Sequence, residues 1–275
     1  MLAATMLLRA ATAAAAPSSS SANGRFDVVT YNVAGLPEGI SNVHPVANLP
    51  LIGAKLNGFD VALVQEDFAY PELLRQRSLL PYRSPGFVRG EKLHFGDGLS
   101  LFSRLPARDS GREPWAACHG VVDSYFDCLT PKGLARWSVE LSPGISIDVY
   151  NVHLDAGATR HDVSARQAQL RQLADAVRRG SAERSVVLGG DFNLTPRELP
   201  AFKKLMGELG LAEVCEELRC GQPARLDRVL FRGSSRLRLI PRRWRLASGF
   251  RDANGRALSD HEPVVASFAW QTISG

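Results

Sequence analysis

Acidic, amide and imidazole side chains stand at the ends of short apolar runs throughout this sequence of 275 residues. The residues placed in this way are Asn32, Glu66, His153, Asp191, Asn193, Asp260 and His261. Polar residues at the ends of neighbouring strands meet at one rim of a sheet, where clefts form. Carboxylate oxygens there could hold a hard divalent cation, and imidazoles could transfer protons near neutral pH. The pattern therefore predicts a catalytic cleft at one end of a sheet.

Spacing within two segments strengthens this prediction. In IDVYNVHLD, side chains alternate between two faces, so Asn151, His153 and Asp155 share one face. Burying these polar groups unpaired would cost a few kcal/mol each, so we expect this face to be wet or functional. In GGDFNLTP, Asp191 and Asn193 are two positions apart and can point in the same direction.

Short strands alternate with a long amphipathic helix along the chain. The apolar patterns predict strands over 25–33, 59–66, 145–154, 185–190, 225–231, 235–240 and 262–270, and a helix over 162–179. Hairpin-like pairs occur beside the interleaved elements, which favours a mixed sheet over a purely parallel one. We find no linker, repeat or change of composition after residue 24, so we predict one domain over 23–275.

The first 22 residues have a different composition from the rest of the chain. They are rich in Ala and other apolar residues and then in Ser, with small residues over 13–16. This pattern is typical of a signal peptide, and the alternative is a low-complexity tail. The prediction is a secreted or periplasmic protein.

Four cysteines fit an oxidising compartment. Cys118 is close in sequence to Cys128, and Cys215 is close to Cys220. Neither pair has the Cys-x-x-Cys spacing of a typical zinc site, so we predict two local disulfides.

The overall composition is that of a globular protein, with 45% hydrophobic and 22% charged residues. It excludes disordered and collagen-like proteins. Apolar runs are shorter than the roughly 20 residues of a membrane-spanning helix. The net charge of +5 is compatible with an anionic partner but is diagnostic of none.

Seven motifs resemble, in the same order, those of the endonuclease/exonuclease/phosphatase superfamily. They are YNV (31–33), VQE (64–66), DGLSLFSRLP (97–106), YNVHLDAG (150–157), GGDFNLTP (189–196), LDRVLF (226–231) and SDHEPV (259–264). The resemblance implies the DNase I-like fold, an α/β (α+β) four-layer sandwich of two mixed β-sheets flanked by helices. It also implies Mg²⁺-dependent hydrolysis of phosphoester bonds, with Mn²⁺ as the alternative ion.

The resemblance assigns roles to particular residues. Glu66 is implied as the main metal ligand, with Asn32 beside it and Asp260 at the metal rim. Asp191 and Asn193 are implied to orient the attacking water and to hold the phosphoryl oxygens.

The resemblance also assigns the two histidines of the cleft. His261 would be the general base or a phosphate contact, with Asp227 orienting its imidazole. His153 would donate the proton to the leaving oxygen. Asn151 and Lys132 would contact the substrate, although an exposed lysine in a turn explains Lys132 equally well. A hard cation, a His–Asp pair and a second His supply what phosphodiester hydrolysis needs.

The motifs leave the substrate open. The segments NVHLDAG and GGDFN and the Lys-Gly pair favour a sphingomyelinase-like phosphodiesterase, with a secreted DNase I-like endonuclease as the alternative. An inositol-phosphate phosphatase is a further alternative, disfavoured by Leu194-Thr195 where that branch has an aromatic residue and Arg. Ala34 disfavours an abasic-site endonuclease, which has an acidic residue there.

An inactive phosphate-binding module is the non-enzymatic alternative. It would have lost Glu66, Asp191 or His261, and all three are present. No protein partner is indicated, so we expect a monomer whose partner is its phosphoester substrate, a phospholipid headgroup or a nucleic acid.

The remaining polar residues of note have no clear pattern. We interpret four histidines as surface or structural residues, namely His44, His94, His119 and His161. Arg166 and Gln167 on the predicted helix are explained equally well by packing and by solvation. The basic segment 235–246 could contact phosphates or a membrane surface, or it could be an edge strand protected by charge.

Overall fold

The computed structural model describes residues 22–85, 96–120, 127–222 and 225–273. Residues 1–21 of the predicted signal peptide, and His94, lie outside the described residues.

The described strands form two six-stranded mixed sheets. The first sheet has the order β11 (Leu237–Leu246), β12 (Val264–Thr272), β1 (Asn23–Asn32), β2 (Val61–Gln65), β4 (Ser100–Ser103) and β3 (Tyr82–Arg83). The second has the order β5 (Ala107–Pro114), β6 (Gly133–Ser142), β7 (Ile145–His153), β8 (Val186–Asp191), β10 (Asp227–Arg232) and β9 (Ala212–Glu213). Only β1/β2 and β7/β8 are parallel among these neighbours. The two parallel pairs end at the same edge of the sandwich, where Asn32, the last residue of β1, bonds Asp191, the last residue of β8.

Helices cover the outer face of each sheet. The described helices are α1 (Pro45–Leu56), α2 (Pro71–Arg75), α3 (Arg160–Ser181), α4 (Leu199–Glu208) and α5 (Val214–Glu217). Leu49 and Ile52 of α1 pack on the first sheet, and Leu173 of α3 and Phe202 of α4 pack on the second. The result is helix, sheet, sheet, helix, which confirms the predicted four-layer sandwich.

Alternating strand residues build two separate apolar layers from one strand. Val149 of β7 packs between the two sheets, whereas Tyr150 and Val152 of the same strand pack beneath α3. Each buried aliphatic side chain of this kind stabilises the fold by about 1.5–3 kcal/mol. The alternation places Asn151 and His153 on one face, as predicted, and this face lies between the two sheets.

A capping box sets the start of α3. The Thr159 hydroxyl accepts a hydrogen bond from the Asp162 backbone N–H (3.3 Å), and the Asp162 carboxylate accepts one from the Thr159 N–H (2.8 Å). These bonds satisfy two N–H groups that a helix start leaves unpaired. The helix therefore starts two residues earlier than the predicted 162. Helix α4 begins at Leu199.

No helix among the described residues is both long enough and apolar enough to span a membrane.

Both predicted disulfides are confirmed by the structure. Cys118 pairs with Cys128, with Cα atoms 5.4 Å apart, and Cys215 pairs with Cys220, with Cα atoms 4.9 Å apart. The first bridge closes a loop next to Asp127, and the second joins α5 to the turn that follows it.

Reduction should lower the stability of the protein. The stabilisation by a disulfide depends on the length of the loop that it closes. For loops as short as these two, loss of either bridge should reduce the unfolding free energy by about 2–3 kcal/mol. Denaturant unfolding with and without reductant measures this change. Intact mass of protein from an oxidising compartment should be four hydrogens below the fully reduced mass. Four free thiols in that material would contradict the pairing.

Candidate active site

Strand register brings the polar strand-end residues together at one edge of the sandwich. In the second sheet, His153 of β7 lies opposite Asp191 of β8, and Asp191 lies opposite Asp227 of β10. In the first sheet, Asn32 ends β1 beside Gln65, the last residue of β2, and Glu66 follows directly. The predicted clustering at one rim is therefore what the structure shows.

Asn32 joins the two sheets through its side-chain amide. Its Nδ2 donates to Glu66 Oε1 (2.8 Å) and to Asp191 Oδ2 (3.1 Å), while its Oδ1 accepts from the Ala34 backbone N–H (3.1 Å). The amide nitrogen, and not the oxygen, thus faces the two carboxylates. In this arrangement Asn32 positions Glu66 and Asp191, and the predicted metal contact by Asn32 would require a turned amide.

Three residues in or beside the site have backbone conformations with positive φ. Ala34, Glu66 and Asn193 have φ values of 49°, 58° and 48°, in the left-handed region that non-glycine residues seldom adopt. Each such residue costs about 1–3 kcal/mol, and this cost is typical of functional sites. Gly35 lies so close to this turn that a Cβ there would be 2.3 Å from the Glu66 carbonyl oxygen. Any larger residue at position 35 would displace Glu66.

His261 and Asp227 form the predicted pair. His261 Nδ1 lies 2.8 Å from Asp227 Oδ2, and His261 Nε2 lies 3.7 Å from Asp191 Oδ2. Burial lowers the pKa of His261, but the hydrogen bond and charge of Asp227 outweigh it, and the pKa rises to about 10. The pairing with Asp227 therefore favours the protonated form of His261, whose Nε2 side faces Asp191.

The pKa of His153 is shifted in the opposite direction to that of His261. His153 is 1% exposed, and neither ring nitrogen has a hydrogen-bond partner among the described residues. Its Nε2 lies 3.5 Å from Asp191 Oδ2 and 3.9 Å from Glu66 Oε1. Burial, together with the charges of Lys132 and His261, lowers the pKa of His153 well below its usual value. A neutral His153 holds no spare proton, which disfavours its predicted role as the acid.

Lys132 supplies positive charge from the buried side of the site. Its Nζ lies 2.6 Å from Asp127 Oδ1 and donates to the Leu154 carbonyl (3.3 Å). Burial raises the pKa of Glu66, and Lys132 is the largest influence that opposes the rise. Lys132 is 6% exposed and is therefore not the exposed lysine of a turn. Its predicted substrate contact stays a prediction.

The site's oxygen donors fit a divalent cation. Glu66 and Asp191 both accept hydrogen bonds from the side-chain amide of Asn32, so the two carboxylates lie close together. Burial disfavours the charged form of Glu66, and a cation beside this carboxylate would offset that cost. Carboxylate oxygens in small number suit Mg²⁺, which keeps several of its waters. Asp191, Asp227 and His261 also lie close enough to share an ion, with ligand atoms within 4.8 Å. Since His261 already binds Asp227, the Glu66 side is the better candidate.

Two further predicted residues adjoin this centre: Asp260 directly precedes His261, and the Asn193 backbone N–H donates to Asp191 Oδ1 (3.0 Å). Asp260 is exposed at the rim, where its Oδ1 accepts from the Ser259 hydroxyl (3.3 Å), and its charge helps to raise the pKa of His261. Asn193 donates from Nδ2 to the Leu154 carbonyl (3.0 Å), which ties the loop after β8 to the end of β7. Their predicted roles stay predictions.

The structure contradicts the predicted substrate contact of Asn151. Asn151 is 0% exposed, and its Nδ2 donates to the carbonyls of Val64 (2.8 Å) and Ser100 (3.2 Å). Its Oδ1 accepts from Gln65 Nε2 (2.6 Å). The polar face of β7 is dry at this position because groups of the opposite sheet pair with it.

Arg166 is a site residue that the sequence did not distinguish from a packing residue. It is fully buried, and its guanidinium binds Glu198 with two hydrogen bonds of 3.0 and 2.7 Å. It also donates to the carbonyls of residues 155–157, directly after His153. Glu198 in turn accepts from the Thr195 N–H and hydroxyl, in the loop after Asn193. One Arg–Glu pair thus holds the two loops that follow β7 and β8.

Variants of the Arg166–Glu198 pair should show that its effect on activity is distinct from its effect on stability. Arg166→Met leaves the Glu198 carboxylate buried without its cation, which should cost about 3–5 kcal/mol of unfolding free energy. Arg166→Met combined with Glu198→Leu should recover most of that stability. Its kcat should still fall about tenfold or more, because both loops lose their anchors.

Denaturant unfolding and steady-state kinetics measure the two effects, and Arg184→Met with Asp148→Leu is the control. That pair is joined at 2.8 Å near the start of β7, at the opposite end from His153. An unchanged kcat in the Arg166/Glu198 variant would mean that the pair is purely structural.

The other basic and imidazole residues have surroundings that match a structural interpretation. His119 binds Asp162 (2.7 Å) and stacks on His161, and His44 is 80% exposed at its side chain. The basic segment 235–246 contains all of β11, which is the edge strand of the first sheet.

Comparison with known proteins agrees with this geometry. The model of the Endonuclease/Exonuclease/phosphatase family matches residues 29–261. The chain is 30% identical over 272 residues to a sphingomyelinase of Mycobacterium tuberculosis, covering 90% of this chain and 53% of that protein. The chain thus spans about half the length of this curated relative.

Two solved structures show the same fold. One is D. rerio TDP2 complexed with a single-strand DNA product, with a TM-score of 0.68, 19% identity, and coverage of 89% of this chain and 98% of that one. The other is a Staphylococcus aureus beta toxin mutant with bound magnesium ions, with a TM-score of 0.64, 18% identity, and coverage of 88% and 99%. Because the family model spans most of the chain and its site residues converge at one rim, the protein belongs to the endonuclease/exonuclease/phosphatase family.

Proposed function

We propose that the protein is a metal-dependent phosphodiesterase of the sphingomyelinase type. The observation that carries the proposal is the convergence on Asp191 of one bridging amide, Asn32, and two imidazoles, His153 and His261. The similarity to the mycobacterial sphingomyelinase extends over 90% of this chain and supports the substrate class.

The roles of the residues follow from their charges. Mg²⁺ or Mn²⁺, held by Glu66, would neutralise charge on the phosphoryl group when bound. His261 carries a proton at neutral pH and presents it on Nε2 to a phosphoryl or leaving oxygen, while Asp227 stabilises the imidazolium. Asp191 lies between both histidines and can orient a water molecule. His153 is neutral and offers a ring nitrogen to that water or to a substrate oxygen. This assignment moves the acid from His153 to His261.

A panel of three substrates tests the proposal. Purified protein with Mg²⁺, Mn²⁺ or excess EDTA would be incubated with sphingomyelin vesicles, plasmid DNA and a soluble inositol phosphate. We expect metal-dependent release of phosphocholine from sphingomyelin and little action on the others. Plasmid cleavage without phosphocholine release would favour the DNase I-like alternative. Inactivity on all three substrates with either metal would favour a binding module.

We also propose that the protein is exported and acts as a monomer outside the cytoplasm. The two disulfides support an oxidising compartment. N-terminal sequencing of protein from the medium or periplasm should show a chain that begins after the small-residue segment 13–16. An intact N-terminus on protein confined to the cytoplasm would contradict export. Light scattering on a sizing column should give the mass of one chain.

A further inference from the structure

The outer surface of the second sheet carries a groove between α3 and α4. Its volume is about 790 Å³, within the roughly 300–1,000 Å³ range of small-molecule sites. The floor is apolar and includes Leu170 and Phe202, both buried, and the half-buried Val163 and Leu205. We refer to this feature as the α3–α4 groove.

The rim of the α3–α4 groove is cationic. Arg160, Arg171 and Arg197 line it, and all three are exposed. Among the described residues, no carboxylate lies within 4.0 Å of any of these three guanidiniums. Within the described part of the chain, Glu198 is the one acidic side chain of the lining, and Arg166 already neutralises it. The rim therefore carries unbalanced positive charge above an apolar floor.

The groove also adjoins the loop that follows the catalytic strand β8. Thr195 and Pro196 line it, two and three residues after Asn193. Thr195 is held by Glu198 through two hydrogen bonds of 2.9 and 2.8 Å. A molecule in the groove would press against this loop and restrict its motion.

We propose that the α3–α4 groove binds an amphiphile with one alkyl chain and one anionic headgroup. The chain covers the apolar floor, and the headgroup pairs with Arg171 and Arg197, where arginine recognises carboxylate or phosphate with paired hydrogen bonds. Charge complementarity selects the anionic headgroup, and the limited volume selects a small amphiphile. This site is distinct from the phosphoester site, so the proposal does not depend on the proposed activity.

Calorimetric titration of the full chain with dodecyl phosphate, below its micelle concentration, tests the proposal. We expect saturable binding by the native protein and at least tenfold weaker binding by Arg171→Glu with Arg197→Glu. Ala201→Trp should weaken binding to the same degree, because it fills the groove from an exposed position of α4 and leaves the charges in place. The matched control is Arg242→Glu with Arg243→Glu, the same charge change on the exposed edge of β11, which should bind normally.

Further measurements identify the kind of molecule that binds the α3–α4 groove. Dodecyltrimethylammonium and inorganic phosphate should each bind at least tenfold more weakly than dodecyl phosphate. Hydrogen exchange with dodecyl phosphate bound should be slowed within 163–171 and 193–205. The proposal is overturned if the native protein does not bind, if the cationic amphiphile or phosphate alone binds as well, or if the control loses binding equally. It is also overturned if protection appears elsewhere, or if an acidic amphipathic peptide binds the groove more tightly than the amphiphile.

Discussion

Glu66→Gln is expected to reduce phosphodiester hydrolysis by about 10³-fold or more while leaving the fold intact. Gln keeps an oxygen that can accept from Asn32, which bonds Glu66 Oε1 at 2.8 Å, but it lacks the charge that would hold the metal. Because burial raises the pKa of Glu66, the charged carboxylate is itself disfavoured in the folded protein. The neutral variant should therefore be at least as stable as the native protein at neutral pH. Initial rates at saturating Mg²⁺ and denaturant unfolding measure both effects.

The matched control for this variant is Glu72→Gln, the same change at an exposed residue in the first turn of α2. It should have native activity. Calorimetric titration with Mg²⁺ or Mn²⁺ should show an ion bound to the native protein and to the control, with at least tenfold weaker binding to Glu66→Gln. Near-native turnover by Glu66→Gln, or full activity of the native protein in excess EDTA, would refute the metal-hydrolase proposal.

His261→Ala should lower kcat by about 10²–10⁴-fold, the usual contribution of a positioned acid or base. Asp227→Asn should lower it less, because the imidazole stays in place but loses the charge that stabilises its protonated form. The double variant should be hardly worse than His261→Ala, since both changes remove one functional unit. If the two losses multiply, the residues act separately and the pair has no common role.

The pKa of His261 provides a readout independent of activity. In the native protein it lies at about 10, because the hydrogen bond and charge of Asp227 outweigh the effect of burial. Asp227→Asn should lower it, which NMR titration of the imidazole would show. Since the folded pKa exceeds the usual 6.5, the stabilisation by the protonated ring is complete below about pH 6.5. It is lost as the pH rises through about 10.

The difference in unfolding free energy between the native protein and His261→Ala should therefore shrink over that range of pH. His44→Ala, at a histidine whose side chain is 80% exposed, is the control and should show no such trend. A native pKa for His261 near 6.5, or one unaffected by Asp227→Asn, would refute the pairing.

Much of the fold and of the site could be predicted from the sequence. The period-two apolar runs gave the strands β1, β2, β7 and β8 to within about two residues, and the motifs gave the four-layer sandwich. The antiparallel pairing of β5 and β6 went unpredicted. Strand β5 (ARDSGREP) is polar and glycine-containing and lies at a sheet edge, so its apolar pattern is weak.

The sequence by itself determined which residues stand at the strand ends, because side-chain alternation is a local property of an extended chain. The tertiary structure alone decided which of them meet. Asn32 and Asp191 are bonded across 159 positions of sequence, and Asp227 and His261 across 34, so their contact depends on how the two sheets pack.

The same packing decided between alternatives that local patterns cannot separate. A polar residue on a strand face is equally compatible with a substrate contact and with an internal bond. Asn151 became internal because Gln65 and two carbonyls of the first sheet face it. Arg166 became an anchor of the catalytic loops because Glu198 and three carbonyls enclose it. Burial makes an unpaired polar group costly, and only the folded chain determines which groups are buried and which partners they find.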